Sequence, residues 1–319
     1  MRFTLFSSVL TLLVSFGSPL PVQDASTVAV YPELPRLVIY FQTTHDSSGN
    51  PISMLPLITE LDIALTHLIA AAPGSFDSTT LDSADEATFE HYYGQLRDVI
   101  VQYGLQGMDL DVEQYMSQAG ITRLVARLHA DFGDDFIITL APVASALSNQ
   151  GNLSGFDYEA LEAAARTASG QDMIDFYNAQ FYSGFGTMSS PLSYQRVVKN
   201  GWEPKDIVAG QLTSPSNGGG FTSVESLNQT VIALTAEYGT IGGIMGWEYF
   251  NSVPGGTAAP WQWAREMTEI LRPGYGVQLE VTSEAAETLD TAWRESVIDA
   301  PSSLVEARPN VDYFAMINA

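Results

Sequence analysis

The sequence predicts an α/β chain folded as a (β/α)8 barrel of the TIM type, with seven strand signals where eight are needed and a short C-terminal extension. Three observations predict it. From Arg36 to Leu271, short β-branched or aromatic runs alternate with amphipathic helical runs, the pattern of parallel strands joined by crossover helices. One strand-like run, Gly107-Met-Asp-Leu-Asp-Val-Glu-Gln114, carries Asp109, Asp111 and Glu113 at two-residue spacing, near the strand end where such barrels hold their chemistry. The 319 residues, 45% hydrophobic and 16% charged, also suffice for one α/β domain of about 250 residues with a proper core.

The elements follow in order. Arg36–Gln42 and Thr66–Ala72 are the first two strand signals. Glu86–Tyr103 is a helix, with Phe89, Tyr92, Leu96, Val99, Ile100 and Tyr103 at helical spacing and Gly104 at the C-cap position. The acidic strand comes next, then a helix carrying Ile121, Leu124, Val125 and Leu128 that stops near Gly133. Strand Phe136–Ala144 precedes helix Asp157–Thr167, and strand Met173–Tyr182 precedes helix Ser193–Asn200. Strand Asp206–Leu212 with helix Val224–Tyr238, and strand Gly243–Phe250 with helix Trp261–Leu271, close the series. Only about a dozen residues, Pro73 to Asp85, separate the second strand from the first helix, so one strand-helix unit is missing there. An open doubly wound sheet is the rival architecture. It lacks support, because the Gly218-Gly219-Gly220 run has neither dinucleotide nor Walker spacing. The barrel domain is thus 36–272, and 273–319 forms a C-terminal helical extension with a helix expected at Ser283–Ile298.

Residues 1–20 read as a secretory signal: Arg2 is the basic region and Phe3–Phe16 an apolar stretch too short to span a bilayer. A secreted, extracellular protein without a membrane anchor is expected. Loss of that segment removes one positive charge, so the net charge of −24 becomes −25. Such a surface repels nucleic acid and suits a neutral or cationic substrate. The chain has no cysteine, so stability rests on the core, and a thiol nucleophile is excluded. Asn152-Leu-Ser154 and Asn228-Gln-Thr230 are glycosylation sequons. A monomer is expected.

In an extended strand Asp109, Asp111 and Glu113 share one face, with Met108, Leu110 and Val112 on the other, and successive acids lie roughly 7 Å apart at Cα. Paired carboxylates at a barrel mouth suit glycoside hydrolysis, where one acid is protonated and another ionised. Neighbouring charge and partial burial are expected to keep Glu113 protonated. A solvated edge strand would also show alternating acids, but a strand inside a βα repeat is buried on both faces. His45, His67, His91 and His129 have no metal-ligand spacing, and no Gly-x-Ser-x-Gly elbow exists. No metal or cofactor is expected.

Gln106-Gly-Met-Asp-Leu-Asp-Val-Glu113 resembles the D-G-x-D-x-D-x-E signature of glycoside hydrolase family 18, with Gln106 in place of the first Asp. Arg36–Gln42 resembles the first barrel strand of that family, with Tyr40 facing the sugar. Gln180-Phe-Tyr182 resembles the sixth-strand element, with Ser183 where Asn is usual, and Gly243-Ile-Met-Gly-Trp247 resembles the eighth. Thr66–Ile69 resembles the start of the second strand and Ala71–Phe76 the loop after the third, joined as though the intervening unit were absent.

The resemblance implies a chitinase-like glycosidase cleaving β-1,4 N-acetylglucosamine linkages with retention, the substrate's own acetamido group serving as nucleophile. Glu113 is then acid and base, Asp111 holds the acetamido group with Asp109 behind it, and Tyr182 bonds the acetamido oxygen. Tyr40, Gln180, Met245 and Trp247 line the sugar site. Chitin, chitooligosaccharides or another N-acetylglucosamine-containing glycan would be the partner. Two rivals stand: an endo-β-N-acetylglucosaminidase acting on N-glycans, and a non-catalytic chitin-binding protein whose shortened barrel is inactive. Trp261 and Trp263 are open to a surface role.

Overall fold

The computed structural model describes residues 11–17, 34–49, 51–54, 56–57, 64–73 and 76–274. Eight strands form one closed barrel: β1 (Thr11–Gly17), β2 (Arg36–Phe41), β3 (Ala64–Pro73), β4 (Gly107–Asp111), β5 (Ile137–Leu140), β6 (Phe176–Gln180), β7 (Ile207–Leu212) and β8 (Gly243–Trp247). The α-helices whose bounds lie among the described residues are α1 (Glu86–Tyr103), α2 (Gln118–Phe132), α3 (Tyr158–Ala164), α4 (Leu192–Lys199), α5 (Val224–Tyr238) and α6 (Trp261–Leu271). Among the described residues no helix is long and apolar enough to cross a membrane.

The seven strands expected from the sequence are all present, and β2-β8-β7-β6-β5-β4-β3 form one continuous parallel wall. The eighth place is filled differently. β3, the fused run, pairs with β4 from Ile69↔Gly107 to Pro73↔Asp111. Between β2 and β3 lies β1, antiparallel to both. The missing unit therefore leaves a seam, and residues from the expected signal segment occupy it. Backbone N–H and C=O groups on two facing strand edges require partners, which an extended apolar run can provide. A chain beginning after residue 20 should accordingly exchange the backbone amides of Leu37–Phe41 faster than the full-length chain. Hydrogen-exchange mass spectrometry checks this; equal protection in both would mean that β1 does not hold the seam.

Side chains sort as strand alternation demands. Val38, Tyr40, Ile69, Ile137, Phe176, Val208 and Met245 fill the interior, with Trp247 packed against them. The opposite faces, including Leu37, Ile39, Met108, Leu110, Ile138, Tyr177, Ala179 and Ile244, pack outward beneath the helices. The parallel register puts Asp109 beside Thr139, Thr139 beside Phe176, and Val38 beside Met245. Polar groups of the interior thus stack above an apolar floor.

Helix ends follow local chemistry. Asp85 caps α1 by accepting from the Thr88 N–H at 2.9 Å, and Gly104 ends it at φ 58°, where a Cβ would be strained. Ser117, Asp157 and Ser223 cap α2, α3 and α5 in the same way. On α1 the buried face is Phe89, Tyr93 and Ile100, whereas Tyr103, expected inside, is exposed. Trp263 is not at the surface: it is buried, and its ring fills the space over Gly246, where a Cβ would lie 2.3 Å from the ring. Apart from Pro273 and Gly274, the expected C-terminal extension lies outside the described residues.

Candidate active site

β4 delivers two of the three acids. Asp109 and Asp111 lie within the strand, and Glu113 follows two residues beyond its end. Asp109 is completely buried and receives three donors: Tyr40 Oη on Oδ2 at 2.6 Å, with Thr139 Oγ1 at 2.5 Å and Asn178 Nδ2 at 2.8 Å on Oδ1. Burial still raises its carboxyl above the ordinary range, because these three neutral donors only partly offset desolvation. Burial likewise holds the Tyr40 hydroxyl well above its usual range, with Asp109 adding to the effect, so Tyr40 stays a donor.

Asp111 sits one layer higher. Burial pushes its carboxyl well above the usual carboxylate range, and the charges of Glu113 and Asp109 add to the push. The partial burial expected of Glu113 is not found, since Glu113 is exposed at the mouth. The strand ends at Asp111, and of the two acids at the cavity it is Asp111 that is desolvated.

One amide ties the two outer acids together. Gln180 Nε2 lies 3.2 Å from Asp111 Oδ1, 3.1 Å from Glu113 Oε1 and 3.0 Å from the Ala141 carbonyl. Sharing one nitrogen, the two carboxylate oxygens lie no farther apart than 6.3 Å.

These groups open into a cavity of about 360 Å³ lined by Tyr40, Asp111, Glu113, Gln180, Tyr182, Met245 and Trp247, with Gln42, Leu153, Ser183, Phe185 and Asn217. Every sugar-site residue expected from the sequence therefore lines one concavity, save Asp109, which lies behind it. Burial raises the Tyr182 hydroxyl well above its normal range, with Asp111 the next contributor, so it too remains protonated. Trp247 Nε1 donates to Gln42 Oε1 at 3.2 Å. The next residue, Glu248, accepts from the Thr43 N–H at 2.8 Å and Thr43 Oγ1 at 3.0 Å, which fastens the end of β8 to the loop after β2.

Several of these residues were not singled out from the sequence. Thr139 and Asn178 are the second and third donors on Asp109. Each left a signal: Thr139 is the one polar residue in Ile137–Leu140, and Asn178 shares a strand face with Gln180. The Gly218–Gly220 run also has a structural role. Gly220 has φ 92°, and a Cβ there would lie 3.1–3.2 Å from Ser183 N and Tyr182 Cα, while the Gly219 carbonyl accepts from Ser183 N–H at 2.8 Å. Ser183 itself stands at φ 54°. The run thus backs the strand end that presents Tyr182.

The two sequon asparagines differ in setting. Asn152 is exposed on the loop after β5 and donates to the Phe156 carbonyl at 2.7 Å, and Ser154 Oγ donates to the Val112 carbonyl beside Glu113. Asn228 is half-buried on α5.

Tyr40→Phe removes one donor from a fully buried carboxylate. The expected loss of stability is roughly 1–3 kcal/mol, read as a lowered thermal midpoint at neutral pH. An unchanged midpoint would mean the Asp109 Oδ2 contact contributes nothing.

A close pair of acids opening into a cavity at the C-terminal mouth of a parallel β/α barrel is the arrangement of a glycosidase. Among solved structures, a fungal endo-β-N-acetylglucosaminidase from glycosyl hydrolase family 18 is 55% identical, over 76% of this chain and 100% of that one, with a TM-score of 0.72. A chitinase from Aspergillus fumigatus is 46% identical over 63% of this chain and 70% of that one, with a TM-score of 0.54. A family 18 chitinase from Pseudoalteromonas aurantia, 22% identical over 65% and 76% with a TM-score of 0.51, shares the fold. No family model and no curated protein matches the chain. The chain belongs to glycosyl hydrolase family 18, and it is a glycosidase.

Proposed function

We propose that this enzyme cleaves the β-1,4 bond beside N-acetylglucosamine with retention, using the substrate's acetamido oxygen as the nucleophile. Glu113 protonates the leaving oxygen from its exposed position at the mouth. Asp111, held between Asp109 and Glu113, receives the acetamido N–H and stabilises the oxazolinium cation as it forms. Tyr182 donates to the acetamido oxygen, and Trp247, Met245 and Tyr40 enclose the ring. Glu113, now a carboxylate, then deprotonates the water that opens the oxazolinium ion. The observation that supports this reading is the single Gln180 amide within hydrogen-bond reach of both Asp111 and Glu113, which holds the two acids side by side at the cavity that would take the sugar.

Of the two substrates open to it, the chitobiose core of an N-glycan is favoured over chitin. A neighbour described as an endo-β-N-acetylglucosaminidase matches at 55% identity along its whole length, against 46% over 70% of the chitinase. Chitin or chitooligosaccharides remain the second reading, on the strength of that same chitinase. Incubation with a high-mannose glycopeptide and with a chitooligosaccharide separates them: release of a glycan ending in one N-acetylglucosamine supports the first, and cleavage of the chitooligosaccharide alone supports the second. We also propose export as a monomer with glycans on Asn152 and Asn228; removal of residues 1–20 on export takes β1 out of the seam and leaves the mature enzyme with the seven-stranded parallel wall. Intact mass of the secreted protein tests removal and glycosylation together.

A further inference from the structure

A second cavity, of about 280 Å³, lies on the same end of the barrel, built from the loops after β5 and β6 and the start of α4. It meets the catalytic cavity at one side chain: Phe185 lines both, half-buried against the core. Beyond Phe185 the lining changes character. Ser145, Ser148, Gln150 and Thr187 supply hydroxyl and amide groups, and Arg196 is its only charged residue. Among the described residues no carboxylate is ion-paired with Arg196, unusual company for a cation in a chain of net charge −24. No acid lines this cavity, so it can hold a ligand but cannot repeat the hydrolytic chemistry.

We infer that this cavity seats a second arm of a branched glycan whose chitobiose core lies in the catalytic cavity. The Ser145, Ser148 and Thr187 hydroxyls already donate within the chain and offer lone pairs to the hydroxyls of a neutral hexose, while the guanidinium fork presents paired donors to vicinal oxygens. Phe185 offers an apolar surface to the C–H face of the sugar crossing between the cavities. At about 280 Å³ the volume lies just below the range of drug-sized ligand cavities, roughly 300–1,000 Å³, as suits a single short arm. The floor between them is firm, because Ala144 N–H donates to the Gln180 carbonyl at 3.0 Å and links the loop after β5 to the catalytic strand end. This inference rests on the N-glycan reading of the active site and adds the part of the substrate that sets specificity.

The test uses Arg196→Ala and Gln150→Trp, with fold checked by thermal midpoint. Each variant is assayed on a high-mannose glycopeptide and on the same glycopeptide trimmed to one mannose on its chitobiose core. The expected result is a loss of about tenfold in kcat/KM on the branched substrate, carried by KM, and a change within about twofold on the trimmed one, as for lost hydrogen bonds to a single arm. Equal losses on both substrates, or none on the branched one, overturn the seat while leaving N-glycan hydrolysis standing. A wild-type enzyme that cleaves chitooligosaccharide and neither glycopeptide overturns the N-glycan reading, and the seat falls with it.

Discussion

Glu113→Gln is expected to lower kcat by about a thousandfold, within the range that one positioned general acid and base contributes. The amide is isosteric, and its carbonyl oxygen can still accept from Gln180, so the cavity keeps its shape and oligosaccharide affinity stays near that of the wild type. Loss of rate without loss of binding is the signature of a group acting only in the transition state. Steady-state kinetics and isothermal titration with an oligosaccharide check both halves. Turnover within tenfold of the wild type would remove Glu113 from the chemistry.

Asp111→Asn should lower kcat by about a hundredfold, the scale of one electrostatic contact to a developing charge. It should also stabilise the protein at neutral pH. The native Asp111 carboxyl titrates well above the usual range, because burial and the charges of Glu113 and Asp109 disfavour its ionised form. Wild-type stability therefore falls as pH rises from the unfolded-state value, about 3.9, through the raised native value. Asn carries no such cost. The thermal midpoint of the variant should exceed that of the wild type at pH 7, and the difference should close near pH 3, where Asp111 is protonated in both states. A gap independent of pH would show that packing, not charge, is responsible. A site that loses rate while gaining stability is one in which the fold tolerates unfavourable electrostatics for function.

Much of this was readable in the chain. The bounds of α1, α5 and α6 follow from their periodicity and stop signals, because both are local: Gly104 ends α1 in the left-handed conformation that favours glycine. The acid trio was legible for the same reason, since two-residue alternation decides which face a side chain takes. Three things were not legible. The donors on Asp109 come from β2, β5 and β6, 69, 30 and 69 residues away, and such pairings depend on barrel register rather than on any neighbouring residue. The exposure of Glu113 depends on where β4 ends, and alternation alone would have continued the strand past it. The eighth strand was hidden for a physical reason as well: an apolar run with a basic start satisfies both the export machinery and an unpaired seam, and composition does not distinguish them.

The measurement closest to the central claim is the anomeric form of the first product. Asp111 and Glu113 share one Gln180 amide and lie within 6.3 Å at their bound oxygens. The acetamido oxygen closes on the anomeric carbon from one face, and water then opens the oxazolinium ion from the other, so the product keeps its β configuration. Proton NMR recorded as the bond is cut, before mutarotation, should show the β-anomer of the newly released N-acetylglucosamine end. The α-anomer appearing first would contradict retention, and with it the roles proposed for both acids.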